Sequence, residues 1–310
     1  MNLAYLLPCV YVLMVPHAAC TERSLEARPE AVPIRLYTGI RTRAAVDRFE
    51  DTPVCIAFGA TPGSYTQCWD GVATNDEIIL TPVRYYPQDG SRIYLRGFYP
   101  PAPLAADGTL KYSLTGEEDL MMTAEQSGTQ EQPFTADEDK RLVHRHLLTK
   151  LNFSLKLDIP DPDKYSIRAL SLNGLTQQVT LSLLTGQLDC DGSTRSVIVY
   201  ESSEETGTYP FENGMAELPG YILVQPRAEF TIDLRLAVDD VPAHDRVYSG
   251  LPIHFEGGAG ESGVAYTVTV DIPEPSVSDP EAVRVRATVS HWGGGNAGSG
   301  ELVPQKKEGR

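Results

Sequence analysis

Beyond residue 31, apolar side chains recur at every second position, and sustained 3.6-residue periodicity is scarce. A chain patterned this way cannot bury its apolar residues on helices, because alternation places them on one face only in an extended strand. Residues 32–40 show it most cleanly: Val32, Ile34, Leu36, Thr38 and Ile40 share one face, and Arg35 and Tyr37 fall on the other. Further strands are expected at 54–58, 77–83, 91–99, 119–123, 165–172, 179–184, 194–200, 221–224, 229–237, 263–271 and 283–292. Residues 141–157 fit one long strand or two with a bend. Turn-forming groups such as Asp89-Gly90, Asp107-Gly108 and Asn213-Gly214 punctuate these segments. Many short strands between such turns indicate an all-β fold of sandwich or barrel domains. Residues 125–139 are polar and acidic and read as an exposed loop.

The first nineteen residues carry no Lys, Arg, Asp or Glu, and residues 3–15 form an apolar run broken only by Pro8. Such a run is too short to span ~30 Å of hydrocarbon, and it ends in the small pair Ala18-Ala19. This is the layout of a secretory signal. Cys20 follows that pair directly, an arrangement that resembles a bacterial lipobox, in which the cysteine is lipidated and becomes the mature N-terminus. Residues 1–19 are therefore read as signal peptide and 20–31 as a lipid-anchored linker. Cys55, Cys68 and Cys190 remain for the body of the chain; Cys55 and Cys68 fit either a bridge between neighbouring strands or a pair of free thiols.

Charge narrows the function. Asp plus Glu is 42 against Lys plus Arg 26, a net charge of −16. Duplex binding rests on cationic contacts to phosphate, so no nucleic-acid partner is expected. No phosphate loop, zincin helix or nucleophile elbow is present, so neither catalysis nor a cofactor is expected. His144 and His146 point to one side of a strand but lack a placed third ligand, and Asp158, Asp161 and Asp163 read as a solvated turn.

Residues 33–45 combine an alternating strand with the step Arg41-Thr42-Arg43-Ala44-Ala45. Downstream come Arg84-Tyr85-Tyr86-Pro87 and Leu95-Arg96-Gly97-Phe98-Tyr99-Pro100. The run from Leu142 to Phe153 places His144 ahead of Leu148-Thr149-Lys150-Leu151, and Tyr266–Val270 and Ala287–Trp292 close the series. In this order the segments resemble the fimbrillins, the type V pilins of Bacteroidales-type bacteria, over most of the chain after Cys20.

The resemblance implies two tandem transthyretin-like Greek-key β-sandwiches, assigned here to residues 32–175 and 176–310, the second with a Gly-rich tail. It implies export as a lipoprotein anchored at the outer membrane, with the fimbrium at the cell surface as destination. It also implies cleavage by a trypsin-like, Arg-specific protease, with Arg43 in the processing position, Ala44 the new N-terminus and Arg41 the nearby competitor. The strand carrying Val32, Ile34, Leu36 and Ile40 would then be lost and replaced by a strand from another subunit, a β-strand addition. It is read as an edge segment completing the first sandwich. The candidate donor is the face of Val283, Val285, Ala287 and Val289, which equally suits a closing strand of the second domain. The partners implied are other pilin subunits, with host or bacterial surface ligands for adhesion. The competing reading is a surface glycan-binding lipoprotein that never polymerises, using Tyr65, Trp69, Tyr85, Tyr86 and Tyr99.

Overall fold

The computed structural model describes residues 31–41, 49–190, 192–227, 229–274, 282–290 and 292. The all-β expectation holds: among the described residues there are strands, two short 3-10 turns (Pro162–Lys164 and Pro242–His244) and no α-helix. From Val32 onward the described residues form one compact unit.

Nine strands come from the first part of the chain: β1 (Leu36–Arg41), β2 (Phe49–Gly59), β3 (Gln67–Asn75), β4 (Glu77–Thr81), β5 (Ile93–Tyr99), β6 (Thr109–Ser113), β7 (Met121–Thr123), β8 (Gln126–Gly128) and β9 (Leu142–His146). All but β6 join one sheet in the order β2-β3-β4-β1-β9-β7-β5-β8, and β2 also pairs with β5. That last link closes the sheet on itself, so the two layers of the sandwich share hydrogen-bonded edges as in a barrel. Ile34, Leu36, Ile40, Ile56, Trp69, Ile78, Leu95 and Leu142 are among the residues filling its interior.

The position of β1 corrects the edge reading. It pairs antiparallel with β4 (Leu36↔Ile78, Tyr37↔Glu77) and parallel with β9 (Thr38↔Leu142 through Arg41↔Arg145). It is an interior stave of the closed ring. The loop reading of 125–139 also needs amending. This stretch contains β8, and it buries Phe134, whose backbone N–H donates to the Tyr86 hydroxyl at 2.9 Å.

The rest of the chain supplies β10 (Thr149–Asp158), β11 (Tyr165–Thr176), β12 (Gln178–Ser182), β13 (Leu188–Asp189), β14 (Thr194–Glu201), β15 (Tyr209–Pro210), β16 (Met215–Glu217), β17 (Ile222–Val224), β18 (Thr231–Val238), β19 (Arg246–Phe255), β20 (Ala265–Pro273) and β21 (Arg284–Ser290). A ten-stranded sheet includes the path β14-β11-β18-β19-β21-β20-β10-β16, with β15 beside β11 and β17 beside β10. A smaller sheet, β13-β12-β6, draws its third strand from the first half of the chain. Leu110 and Tyr112 of β6 join Val179 and Leu181 of β12 in a second core. That core also takes Cys55, Ala57 and Phe98, alternate residues to those that fill the barrel.

Residues 141–157 resolve as two strands, β9 and β10, that pass from the barrel to the ten-stranded sheet through Leu147-Leu148. The change of sheet thus precedes the limit expected at 175/176, which coincides with the end of β11. Cys55 and Cys68 are free thiols.

Candidate functional site

The side chains that hold β1 in the ring define the site. Its alternation is realised: Ile34, Leu36, Thr38 and Ile40 are buried, Arg35 is exposed, and Val32 is partly buried against the barrel core. Three apolar side chains therefore go fully inward, with Val32 as a partial fourth.

A buried threonine hydroxyl in such a strand must find partners or cost stability. Thr38 Oγ1 donates to the Leu142 carbonyl at 2.8 Å and lies 3.0 Å from His144 Nδ1. With its own proton committed to Leu142, the hydroxyl accepts from Nδ1–H of His144. That tautomer leaves Nε2 with a lone pair, and Nε2 has no partner among the described residues. Burial pushes the His144 pKa down to about 3, because an imidazolium there would lose its hydration. Phe49 meets the imidazole edge-on at 5.1 Å.

On the outer side, Arg141 lies across β1. Its Nη2 donates to the Thr38 carbonyl and reaches Asp76 Oδ1 at 3.4 Å. Gly39 makes the crossing possible, since a Cβ there would sit 3.3 Å from Arg141 Nη2. The segment ahead of β1 is fastened too: Ile34 N–H donates to the Arg84 carbonyl at 2.8 Å, and Tyr86 N–H donates to the Val32 carbonyl at 3.0 Å. Thr38, Arg141 and His144 were not singled out from the sequence as holding β1. The signal was there in part, as a threonine in the middle of an inward-facing apolar row.

Cys20, Arg43 and Ala44 lie outside the described residues. Arg41 is the last residue of β1, and Arg43 follows it two positions later. The candidate donor face is present in β21, but with three inward residues rather than four. Val283, Val285 and Ala287 are buried, whereas Val289 is 49% exposed. β21 lies inside the ten-stranded sheet, antiparallel to β20 and parallel to β19. His144 and His146 are both buried and do point to one side. His146, however, contacts Asp119 at 2.8 Å and stacks on Trp292 at 4.1 Å. Among the described residues no group of three or more His, Cys, Asp or Glu side chains is placed to hold a metal. Of the five aromatics weighed for glycan contact, Tyr65, Trp69 and Tyr86 are buried, Tyr99 is half-buried and Tyr85 is exposed.

A family model described as fimbrillin-like matches residues 42–292, most of the chain. The chain belongs to the fimbrillin-like family. No curated protein sequence matches this fimbrillin-like chain. Among solved structures, a proposed cell adhesion protein of Bacteroides uniformis superposes with a TM-score of 0.57 at 19% identity, over 84% of this chain and 99% of that one. A proposed cell adhesion protein of Parabacteroides distasonis gives 0.54 at 11% identity, over 85% and 97%. A fimbrial protein of Bacteroides vulgatus gives 0.51 at 10%, over 83% and 99%. At these identities the likeness is one of fold.

Proposed function

We propose that this fimbrillin-like protein is a structural or tip subunit of a cell-surface pilus, assembled by exchange of its first strand. In this reading it is exported as a lipoprotein anchored at the outer membrane through Cys20. An Arg-specific, trypsin-like protease cuts after Arg43, Ala44 becomes the N-terminus, and a strand from another subunit enters the place of β1. Head-to-tail repetition without closure then gives a filament that supports adhesion.

The observation that carries the reading is the place of β1 between β4 and β9 in a closed ring. Loss of an edge strand exposes one row of backbone groups; loss of an interior stave exposes two facing rows. Both rows then line a slot from which Ile34, Leu36 and Ile40 have been withdrawn. At about 1.5–3 kcal/mol for each buried side chain, the apolar loss alone is roughly 5–9 kcal/mol. A domain's whole margin is about 5–15 kcal/mol. A trimmed subunit is thus driven to accept a strand that offers apolar residues at alternate positions and a free main chain.

Donation by Val283, Val285 and Ala287 would require β21 to leave its pairing with β19 and β20, a cost that a strand already free of its own sheet would not carry.

The test is limited digestion with an Arg-specific protease, N-terminal sequencing, and electrophoresis of the product without heating. The reading expects Ala44 as the new N-terminus together with a ladder of multimers. A chain that stays intact, or is cut only within residues 125–139, contradicts it.

A further inference from the structure

At the end of the barrel where β1 begins, the closed ring opens into a recess of about 410 Å³. Trp69, Phe58, Gln67, Arg84, Tyr85 and Pro87 are among its lining residues. Trp69 is 5% exposed and stacks on Phe58 at 4.7 Å, while the Arg84 guanidinium carbon lies 5.4 Å from the indole ring centre. Tyr85 is 54% exposed and stands on the rim.

Two donors here lack an acceptor: the buried Nε1 of Trp69 and the buried Nε of Arg84 have no hydrogen-bond partner among the described residues. Among the described residues no carboxylate pairs with Arg84, although the chain carries a net charge of −16. A cation left uncompensated in an apolar recess, beside a second unpaired donor, is a place prepared for an anion. The mouth of a β-barrel is a recurrent ligand site, and the volume falls in the usual range of ~300–1,000 Å³.

We propose that this mouth binds a carboxylate-bearing sugar unit of a glycan. The guanidinium fork matches a carboxylate in two parallel hydrogen bonds. The exposed Tyr85 ring offers a flat apolar face to the C–H face of a pyranose, and Gln67 offers an amide to its hydroxyls. A peptide adding as a strand is disfavoured by the rim's own main chain. The Arg84 carbonyl is already taken by Ile34 N–H, Tyr86 N–H is given to Val32, and Pro87 has no N–H. Recognition there must go through side chains. The site belongs to the intact chain, whose leading segment fastens the Arg84 loop, and its test requires no strand exchange.

The chain has two tryptophans, so Trp292→Phe leaves Trp69 as the sole indole, excited selectively over the tyrosines at the red edge of absorption. The experiment titrates this full-length variant with digalacturonate, with the neutral digalactoside and with the dipeptide Tyr-Glu, and repeats the first titration calorimetrically on the unaltered chain. Digalacturonate is expected to change Trp69 emission saturably at millimolar concentration or below, with the other two probes weaker by about tenfold or more. Arg84→Gln should weaken digalacturonate binding by about tenfold or more at an unchanged denaturation midpoint, and Tyr85→Ala, an exposed rim change, should weaken it as well. Absence of a saturable response to digalacturonate overturns the proposal. So does equal binding of either other probe, or full binding by both variants.

Discussion

Thr38 and His144 share a 3.0 Å hydrogen bond in which neither side chain meets solvent. The two residues lie 106 positions apart and on strands that run parallel, so the bond joins the first stave of the barrel to its neighbour from the middle of the chain. His144 Nε2 is enclosed by β5 as well, since a Cβ on Gly97 would stand 2.9 Å from it. Among the described residues, the only other ionisable side chain that bears on His144 is His146, and it opposes a second positive charge.

Acid should therefore loosen this seam. The folded pKa of His144, about 3, lies below its ordinary 6.5. Its contribution to stability is complete above pH 6.5 and is lost as pH falls toward 3, at about 1.4 kcal/mol per unit. Between pH 7 and 4.5 the unaltered chain should lose about 2–3 kcal/mol more stability than His144→Leu, read from urea midpoints. Equal acid losses in the two chains would refute this.

Removing the hydroxyl tests the same seam without pH. Thr38→Val keeps the shape of the strand but leaves His144 Nδ1–H buried without an acceptor. The expected cost is about 1–3 kcal/mol in denaturant unfolding at neutral pH. A change within about 0.5 kcal/mol would mean that the imidazole finds another partner.

Arg141 holds β1 from outside through the Thr38 carbonyl and Asp76. Arg141→Ala removes a charge-assisted bond, which the partial exposure of the guanidinium screens to about 1 kcal/mol. After cleavage at Arg43 the freed segment should leave about fivefold faster from this variant, followed by mass spectrometry of the released peptide. An unchanged rate would assign the hold on β1 to its buried face alone.

Trp69 should report the loss of the leading segment. The loop that carries Arg84 over the indole is fastened by Ile34 and Val32. In a Trp292→Phe chain, trimming should shift Trp69 emission to the red and open it to acrylamide. Emission that stays fixed while the peptide is released would show that the loop stands without its fastening.

The alternation of residues 32–40 gave the buried face of β1 correctly, because period two admits one inward set and Ile34, Leu36, Thr38 and Ile40 are that set. It could not give the strand's neighbours. Pairing with Leu142–Arg145 joins residues more than a hundred apart, and a parallel partner leaves no mark on local patterning. Phe134 was hidden for a related reason: one large apolar residue in an acidic stretch has no period, and the Tyr86 ring from another loop and Gly128 of β8 pack against it. Val289 alternates with Val283, Val285 and Ala287, yet it lies toward the end of β21 and is half uncovered. The passage at Leu147-Leu148 was equally silent, since both strands it joins are apolar.

Hydrogen exchange across the barrel wall reads the vacancy that β1 would leave. Amides of Glu77–Thr81 and Leu142–His146 are compared in the intact chain, in the chain trimmed at Arg43 and freed of its peptide, and in the multimers that form from it. Protection in both segments should collapse on trimming and return in the multimers, as a new strand fills the slot between them. Trimmed monomers that keep full protection at β4 and β9, or multimers that never regain it, would rule out exchange of β1.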